Sequence, residues 1–489
     1  MMERAQRLRA AQYRLAQHYL DIARTAQRIY EQGNENEVFA LALFDRERDQ
    51  MKYWQAWAAN HAGEDEHAAA LCSEYAEASI DIFKLRLLPQ EYLVWLEAAL
   101  AAARRLGDRR AEALHLLGMW EMSVLVVEYQ HVIDYAQQAL AIARQIGDRP
   151  LLAQALRICG DAASDQGNLE EAQVCCEQSL ALYQAIGDQR GMAKIVAMLS
   201  TLALSRRDNA AAQNYLEQSL VLYRQTGDRA GLGSCLNDLG YLAIRSGNYA
   251  AAADYLEQAL AIQLAMGNTQ GMSSALSNLG SAAYYQEAYA LARNYLEQGL
   301  AASRASGVRE LIAIDLYKLG QVTMAQGDLL MARDFMEQSL ALSRSITVGT
   351  LFPVSLGNLA IIYLLLQQEN RAYAVLHEGL EVAWSLPASY AHAKLLVLVA
   401  AARVWILRGE PLQAARWLGL VENHPHPAVK MTDIKRDVQA ARSECAAAIA
   451  SEQFAAAWEE GKKLDLDTVV TEILKELPST DDRFSADPH

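Results

Sequence analysis

Residues 227–266 read GDRAGLGSCLNDLGYLAIRSGNYAAAADYLEQALAIQLAM, and this stretch predicts two helices joined by a short turn. Gly227 suits the left-handed backbone position that ends a preceding helix, and Asp228 is placed to cap the helix that follows. Apolar residues at helical spacing predict that this helix, called helix A, extends to about Arg245. The pair Gly247-Asn248 repeats the stop-and-cap signal, so a second helix, called helix B, is predicted behind it.

The stretch belongs to a repeat with a period of 40 residues, in which three sequence columns stay in phase. The first column is the last leucine of motifs of the Leu-Glu-Gln-x-Leu kind, at Leu100, Leu140, Leu180, Leu220, Leu260, Leu300, Leu340 and Leu380. The others are Gly107-Asp108, Gly147-Asp148, Gly187-Asp188, Gly227-Asp228 and Gly267-Asn268, and then Gly160, Gly240, Gly280 and Gly320. Each period therefore predicts one helix hairpin, and the small Gly240 and Ala252 predict a close approach of helices A and B.

The composition agrees with a helical chain. Its 489 residues include only nine prolines, none of them between Pro150 and Pro353. Hydrophobic residues make up 52% of the chain, and alanine and leucine outnumber valine and isoleucine, which favours long helices over β-sheets. Because the length exceeds that of one compact core, several domains or one extended repeat array are expected.

Leu239-Gly240, Ala252, Leu256 and Ala259 fall at the spacing of a known repeat signature. In these columns the segment 107–386 resembles the tetratricopeptide repeat, a helix hairpin of usually about 34 residues. The longer period, with Gly-Asp in place of the final proline, is similar to spindle-orientation adaptors and to the sensor regions of bacterial signal-transduction ATPases and transcriptional activators. This resemblance implies an all-α, right-handed α-solenoid of helix hairpins with helical caps.

The repeat decays toward both ends, as capping segments do. Ile346-Thr347-Val348 stands in place of Gly-Asp, and Ala360 replaces the helix-A glycine. The predicted organisation is an N-terminal helical cap at 1–105, the array at 106–386, a degenerate last repeat at 387–424, a C-terminal helical cap at 425–477 and a flexible tail at 478–489. The resemblance also implies that the chain begins roughly where the ATPase and winged-helix modules of those regulators end.

Charge and sequence composition predict the compartment and exclude some partners. The chain has 44 lysines and arginines against 59 acidic residues, a net charge of −15, and no basic run suited to nucleic acid. The most apolar stretches, 351–366 and 395–407, are too short to span a membrane. The six cysteines form no C-x-x-C pair and suit a reducing compartment. A cytoplasmic protein without nucleic-acid or membrane contacts is expected.

No motif of an enzyme is found: the sequence lacks G-x-x-x-x-G-K-[ST], H-E-x-x-H and G-x-S-x-G. No catalytic activity and no cofactor are therefore expected. His424 and His426 are candidates for a metal site, but a proline-rich turn reaching Pro427 is preferred because no acidic or cysteine partner lies at ligand spacing. Asp161 and Asp165, one helical turn apart, are a possible carboxylate pair, for which a solvated helix face is the preferred interpretation.

Two further columns lie in helix B. The glutamates Glu177, Glu217, Glu257, Glu297 and Glu337 are interpreted as an outer, solvated face. The tyrosines Tyr135, Tyr215, Tyr255 and Tyr295 are interpreted as packing between repeats, in preference to a ligand platform.

The resemblance implies that helix A lines a concave groove that holds the ligand. The helix-A positions that would face it carry Arg157, Asp161, Lys194, Asn237, Tyr241, Arg245, Asn278, Tyr284, Tyr285, Tyr317, Lys318, Gln321 and Asn358. Amides can bond the backbone of a ligand, and tyrosines provide contact area at low entropic cost, so this mixture suits a protein or peptide ligand. The carboxylate clamp of chaperone adaptors is not expected, because Ala197 and Thr201 occupy its asparagine positions.

The sequence therefore predicts a non-catalytic scaffold or sensor module of bacterial signalling that binds a protein, peptide or small effector in the groove. A separate ATPase or regulator is a possible partner. The alternative is a receptor of the peptide-pheromone type that regulates a partner effector. Residues 1–80 show no clear helix-turn-helix, which disfavours this alternative. An enzyme is the third class and lacks any candidate site.

Overall fold

The computed structural model describes residues 2–126, 132–344, 350–387, 390–426, 429 and 432–477. Over these ranges the regular structure is helical, without a β-strand. The expectations for Ile346-Thr347-Val348, Pro427 and the tail at 478–489 lie outside the described residues. In the part of the chain that is described, no helix is both long and apolar enough to cross a membrane.

Twenty-four helices are described, and most of them pack against the next helix in the sequence. The first six are α1 (Met2–Tyr30), α2 (Glu35–His61), α3 (Glu66–Glu77), α4 (Ile80–Arg86), α5 (Pro89–Leu106) and α6 (Arg109–Ser123). The next eleven are α7 (Ile133–Ile146), α8 (Arg149–Asp165), α9 (Leu169–Ile186), α10 (Gln189–Ser205), α11 (Asn209–Thr226), α12 (Arg229–Arg245), α13 (Tyr249–Met266), α14 (Thr269–Tyr285), α15 (Tyr289–Ser306), α16 (Arg309–Ala325) and α17 (Leu329–Ser343). The last seven are α18 (Leu351–Leu365), α19 (Glu369–Ser385), α20 (Ala391–Arg408), α21 (Pro411–Asn423), α22 (Thr432–Ala448), α23 (Ser451–Gly461) and α24 (Leu466–Glu476).

The helix-ending glycine and the helix-capping aspartate of the repeat form as predicted. Gly227 has a left-handed φ of 66°, which a residue with a side chain adopts only at a cost in energy. The side chain of Asp228 accepts a hydrogen bond from the backbone N–H of Gly231 at 2.8 Å, so it caps α12. Helix A of this period ends at Arg245, as the apolar pattern predicted.

The glycine column marks where the two helices of a hairpin touch. A Cβ atom on Gly240 would lie 2.5 Å from Cγ of Leu256 in helix B, and a Cβ on Gly280 would lie 2.5 Å from Cγ of Leu296. Ala252 is fully buried in the same interface. The predicted close approach of helices A and B is confirmed, and the all-α solenoid architecture follows from this hairpin packing repeated along the chain.

The chain divides into two compact units. Unit 1 comprises Met1–Leu242, Ala250–Leu279 and Ala301–Arg309, and unit 2 comprises Ala243–Tyr249, Gly280–Leu300 and Glu310–His489. In unit 1, the N-terminal helices form a bundle around an aromatic core. In unit 2, the C-terminal helices α20 to α24 share one hydrophobic core that includes Trp405 and Trp417.

Candidate functional site

One cavity of about 150 Å³ lies within unit 2, where residues of α14, α16, α18, α20 and α22 face one another. Six of the thirteen predicted groove residues line it: Tyr284, Tyr285, Tyr317, Lys318, Gln321 and Asn358. They come together because the repeat places the same helix-A face of successive hairpins side by side.

Tyr317 is the polar centre of this cavity. The side-chain amides of Gln321 and Asn358 both donate hydrogen bonds to its hydroxyl oxygen, at 2.9 and 3.0 Å. Burial raises the pKa of Tyr317 well above its usual value, so the phenol stays protonated. Because the oxygen already accepts two bonds, its O–H can add a bond only by donating to a further acceptor.

Lys318 places a cation in the same wall. Burial lowers the pKa of its ammonium group to about 8, while the charge of Asp315, one turn earlier in α16, opposes this shift. The side chain is therefore mostly charged at neutral pH.

Helix α22 forms the opposite wall with residues that the repeat pattern did not point to. The guanidinium carbon of Arg436 lies 4.6 Å from the ring centre of Tyr284 and 5.1 Å from that of Tyr285, a cation–π geometry. Asp437 accepts hydrogen bonds from the same guanidinium at 2.6 and 3.0 Å. Asp433 lies 2.7 Å from the imidazole Nε2 of His392. The sequence identified this segment only as a capping helix.

Arg403 of α20 was not among the predicted groove residues, because the repeat period lengthens from 40 to 42 residues at this helix. Two steps of 40 residues from Gln321 lead to Ala401, which is fully buried. Two residues with left-handed φ, Gln367 and Gly409, end successive A helices and are 42 residues apart. Counting back six residues from Gly409, as Gln321 is six before Gly327, leads to Arg403 instead.

The candidates in unit 1 do not line that cavity, and three of them bind other parts of the unit. Arg157 donates hydrogen bonds to Glu121 of α6 at 2.6 Å and to Asp161 at 3.0 Å. The ammonium of Lys194 lies 3.9 Å from a carboxylate oxygen of Asp81 in α4. The preferred interpretation of Asp161 as part of a solvated face is wrong, because its carboxylate is paired with Arg157 and only one-third exposed.

The remaining candidates continue along the helix-A face. Within unit 1, the amide of Asn278 in α14 donates to the side-chain oxygen of Asn237 in α12 at 3.0 Å. Tyr241 is 40% exposed, which leaves its ring accessible. Arg245, at the end of α12, belongs to unit 2 and is half-buried.

A buried carboxylate joins α2 to the start of α12 within unit 1. Glu37 is fully buried, and one of its oxygens accepts the backbone N–H of Arg229 at 3.1 Å. The other oxygen lies 3.3 Å from the guanidinium of Arg190. Burial, reinforced by the charge of Asp228, raises the pKa of Glu37 from 4.5 to about 8, although Arg190 and Arg229 oppose the shift.

We expect Glu37 to make the protein less stable as the pH rises. A carboxyl with a raised folded-state pKa binds its proton more tightly in the native state, so stability falls between the usual pKa and about 8. Urea unfolding from about pH 5 to about pH 8 should show a steeper loss for the wild type than for Glu37→Gln. Equal slopes in the two proteins would contradict this assignment.

The helix-B glutamates and tyrosines whose contacts are described agree with a solvated outer face and with packing between repeats, respectively. Glu177, Glu217 and Glu297 each accept a hydrogen bond from the residue four positions earlier on their own helix. Tyr215 and Tyr255 pack against the hydrophobic clusters of unit 1.

The two histidines form no metal site with the residues described. The rings of His424 and His426 have centres 6.4 Å apart, and the backbone N–H of His426 donates to Nδ1 of His424. Over the described ranges, no three metal-ligating side chains lie together.

Residues 193–265, which run from α10 into α13, match the family model of the tetratricopeptide repeat. The chain contains tetratricopeptide repeats (TPRs). Such repeats are generally non-catalytic protein-interaction modules, so the matched segment is an interaction scaffold. No curated protein matches the sequence.

Several solved structures are similar to this TPR chain. A STAND signal-transduction ATPase with a TPR sensor from Pyrococcus horikoshii is 15% identical, with a TM-score of 0.48, and the match covers 73% of this chain and 52% of that one. Rap protein complexed with competence and sporulation factor is 12% identical, with a TM-score of 0.48, covering 74% and 99%. BtubC from P. vanneervenii is 18% identical, with a TM-score of 0.38, covering 45% and 93%.

Proposed function

We propose that this chain is a non-catalytic scaffold or sensor module of bacterial signalling that holds a protein or peptide ligand along the helix-A faces of its TPRs. The observation that carries the proposal is the contact between neighbouring helix-A faces in unit 1, where Asn278 donates to Asn237 at 3.0 Å and Tyr241 of the same face is 40% exposed. Residues chosen only by their position in the repeat share one surface, and that surface combines tyrosine rings with side-chain amides.

The chemistry of the helix-A faces suits a polypeptide ligand. Tyr241 is exposed and offers a rigid, amphipathic contact surface. Asn237 and Asn278 form an amide pair across two neighbouring A helices, and each amide has further donors and acceptors for a ligand backbone. A separate ATPase or regulator in the cytoplasm is the partner we propose, with no direct contact to nucleic acid or membrane.

The test is an affinity pulldown that compares the wild type with the Asn237→Ala/Asn278→Ala variant. We expect the amount of captured partner, quantified by mass spectrometry, to fall about tenfold, because two residues at the centre of the contact are truncated. The matched control is Asn214→Ala/Asn294→Ala, which removes two exposed asparagines from helix B. Unchanged capture by the groove variant, with unchanged circular dichroism, would contradict the proposal.

A further inference from the structure

The cavity of unit 2 is of a size for a small molecule. At about 30 Å³ of liquid volume for each water, its volume of about 150 Å³ holds about five waters, and a cavity of about this volume is large enough for benzene. A ligand that fills it has fewer than about ten non-hydrogen atoms, which is far fewer than an extended peptide contains. The cavity therefore suits a small-molecule ligand, which is distinct from the polypeptide that we propose for the helix-A faces.

The polar part of the cavity carries both signs of charge. Lys318 of α16, Arg403 of α20 and Arg436 of α22 are cationic, and Asp433 and Asp437 of α22 are anionic. Each of these charges has a neighbour: the charge of Asp315 acts on Lys318, Arg403 binds Glu444 at 3.1 Å, Asp433 contacts His392, and Asp437 binds Arg436. Because the site is close to neutral, a ligand with one net charge would leave a buried charge uncompensated, whereas a dipolar ligand would not.

The rest of the lining is aliphatic. Val354 and Ile361 of α18 and Leu396 and Val399 of α20 form this part of the wall. A branched hydrocarbon group placed against them would be removed from water at a gain of about 25 cal/mol for each Å² buried.

We propose that this cavity binds a free aliphatic α-amino acid of the size of leucine. Its carboxylate faces Lys318 and the hydroxyl of Tyr317, and its ammonium group faces Asp437 of α22. Its side chain lies against the valine, isoleucine and leucine side chains of α18 and α20. Such a ligand bridges a TPR helix to the C-terminal helix, so its binding holds α22 in place.

The ligand class is tested by calorimetry on the full chain with L-leucine, L-isoleucine and L-valine as probes. Two analogues dissect the recognition: 4-methylpentanoate lacks the ammonium group, and 3-methylbutylamine lacks the carboxylate. We expect at least one amino acid to bind and to raise the melting temperature, and both analogues to bind about tenfold more weakly or worse. Binding by none of the three amino acids, or equal binding by either analogue, would overturn the proposal.

The location is tested by Lys318→Met and Asp437→Asn, each expected to weaken amino-acid binding about tenfold or more. The matched control is Glu297→Gln on helix B of the same unit, which should bind as the wild type does. Because Asp437→Asn also removes a partner of Arg436, hydrogen exchange provides a second readout. The amino acid should slow exchange of α22 in the wild type and not in Lys318→Met. Undiminished binding by a folded Lys318→Met would overturn the location, whatever the pulldown shows.

Discussion

Replacing Gly461 by alanine is expected to destabilise unit 2 by about 3 kcal/mol, near the upper end of the usual cost of overpacking. A Cβ atom on Gly461, the last residue of α23, would overlap the backbone carbonyl oxygen of Arg416 in α21. On the other side of the crossing, a Cβ on Gly419 would lie 2.5 Å from the carbonyl oxygen of Trp458. Since both obstacles are backbone atoms, no side chain can rotate to relieve the clash.

The measurement is urea unfolding followed by tryptophan fluorescence. Trp405, Trp417 and Trp458 report on unit 2, and Trp54, Trp57, Trp95 and Trp120 report on unit 1, so a separate early transition marks the loss of unit 2. The matched control is Gly63→Ala, because a Cβ at Gly63 would meet nothing within 4 Å. Gly240→Ala provides a graded comparison in unit 1, where the obstacle is the side chain of Leu256 and can move. A Gly461→Ala variant as stable as the wild type would show that α21 and α23 are not in backbone contact.

Replacing Arg157 by methionine is expected to destabilise unit 1 by about 3 kcal/mol or more, the usual cost of removing one partner from a buried ion pair. Glu121 would keep its contact with Lys84 at 2.5 Å but lose the hydrogen bond from Arg157. Its carboxylate is only 14% exposed, so water does not replace the missing partner.

The pH dependence of stability provides a second test of the ion pair between Arg157 and Glu121. Burial alone would raise the pKa of Glu121, but the charges of Lys84 and Arg157 lower it to about 2. The stability that this depressed pKa contributes is present above the usual 4.5 and is lost as the pH falls toward about 2. In Arg157→Met we expect the loss to begin at a higher pH, since one of the two cations is gone.

The measurement is urea unfolding of the wild type, Arg157→Met, Glu121→Gln and the double variant, arranged as a thermodynamic cycle. Glu121→Gln/Arg157→Met should recover part of the loss, because the charge at Glu121 is removed together with its partner, while Asp161 still loses its contact with Arg157. Additive effects of the two single changes would show that Arg157 and Glu121 do not interact.

The helix ends, the helix caps and the hairpin contacts could be predicted because their causes are local. Gly227 and Asp228 act on the backbone within a few residues of themselves, so their roles follow from the order of residues alone. Gly240 faces Leu256 across a single hairpin, and the repeat shows that relation in several copies. The shared face of the groove candidates follows from the same period.

The wall that α22 contributes to the cavity could not be predicted in this way. Arg436 lies over Tyr284 although about 150 residues separate them, and α22 is not a copy of the repeat. Arg403 was missed because the fixed step ignored a turn that adds two residues. A sequence repeat shows which positions are equivalent from one repeat to the next. It gives no information about a segment that occurs only once, such as α22.

By itself, the sequence determined the helix hairpin, its caps, its close-packed glycines and the face of each A helix that carries tyrosines and amides, because these depend on interactions within one period. Only the tertiary structure decided which of those faces the protein covers with its own residues. In unit 1, Arg157 is paired with Glu121, and in unit 2 the tyrosines are covered by Arg436. Ion pairs and cation–π contacts of this kind depend on distances between remote segments, which become short only when the chain has folded.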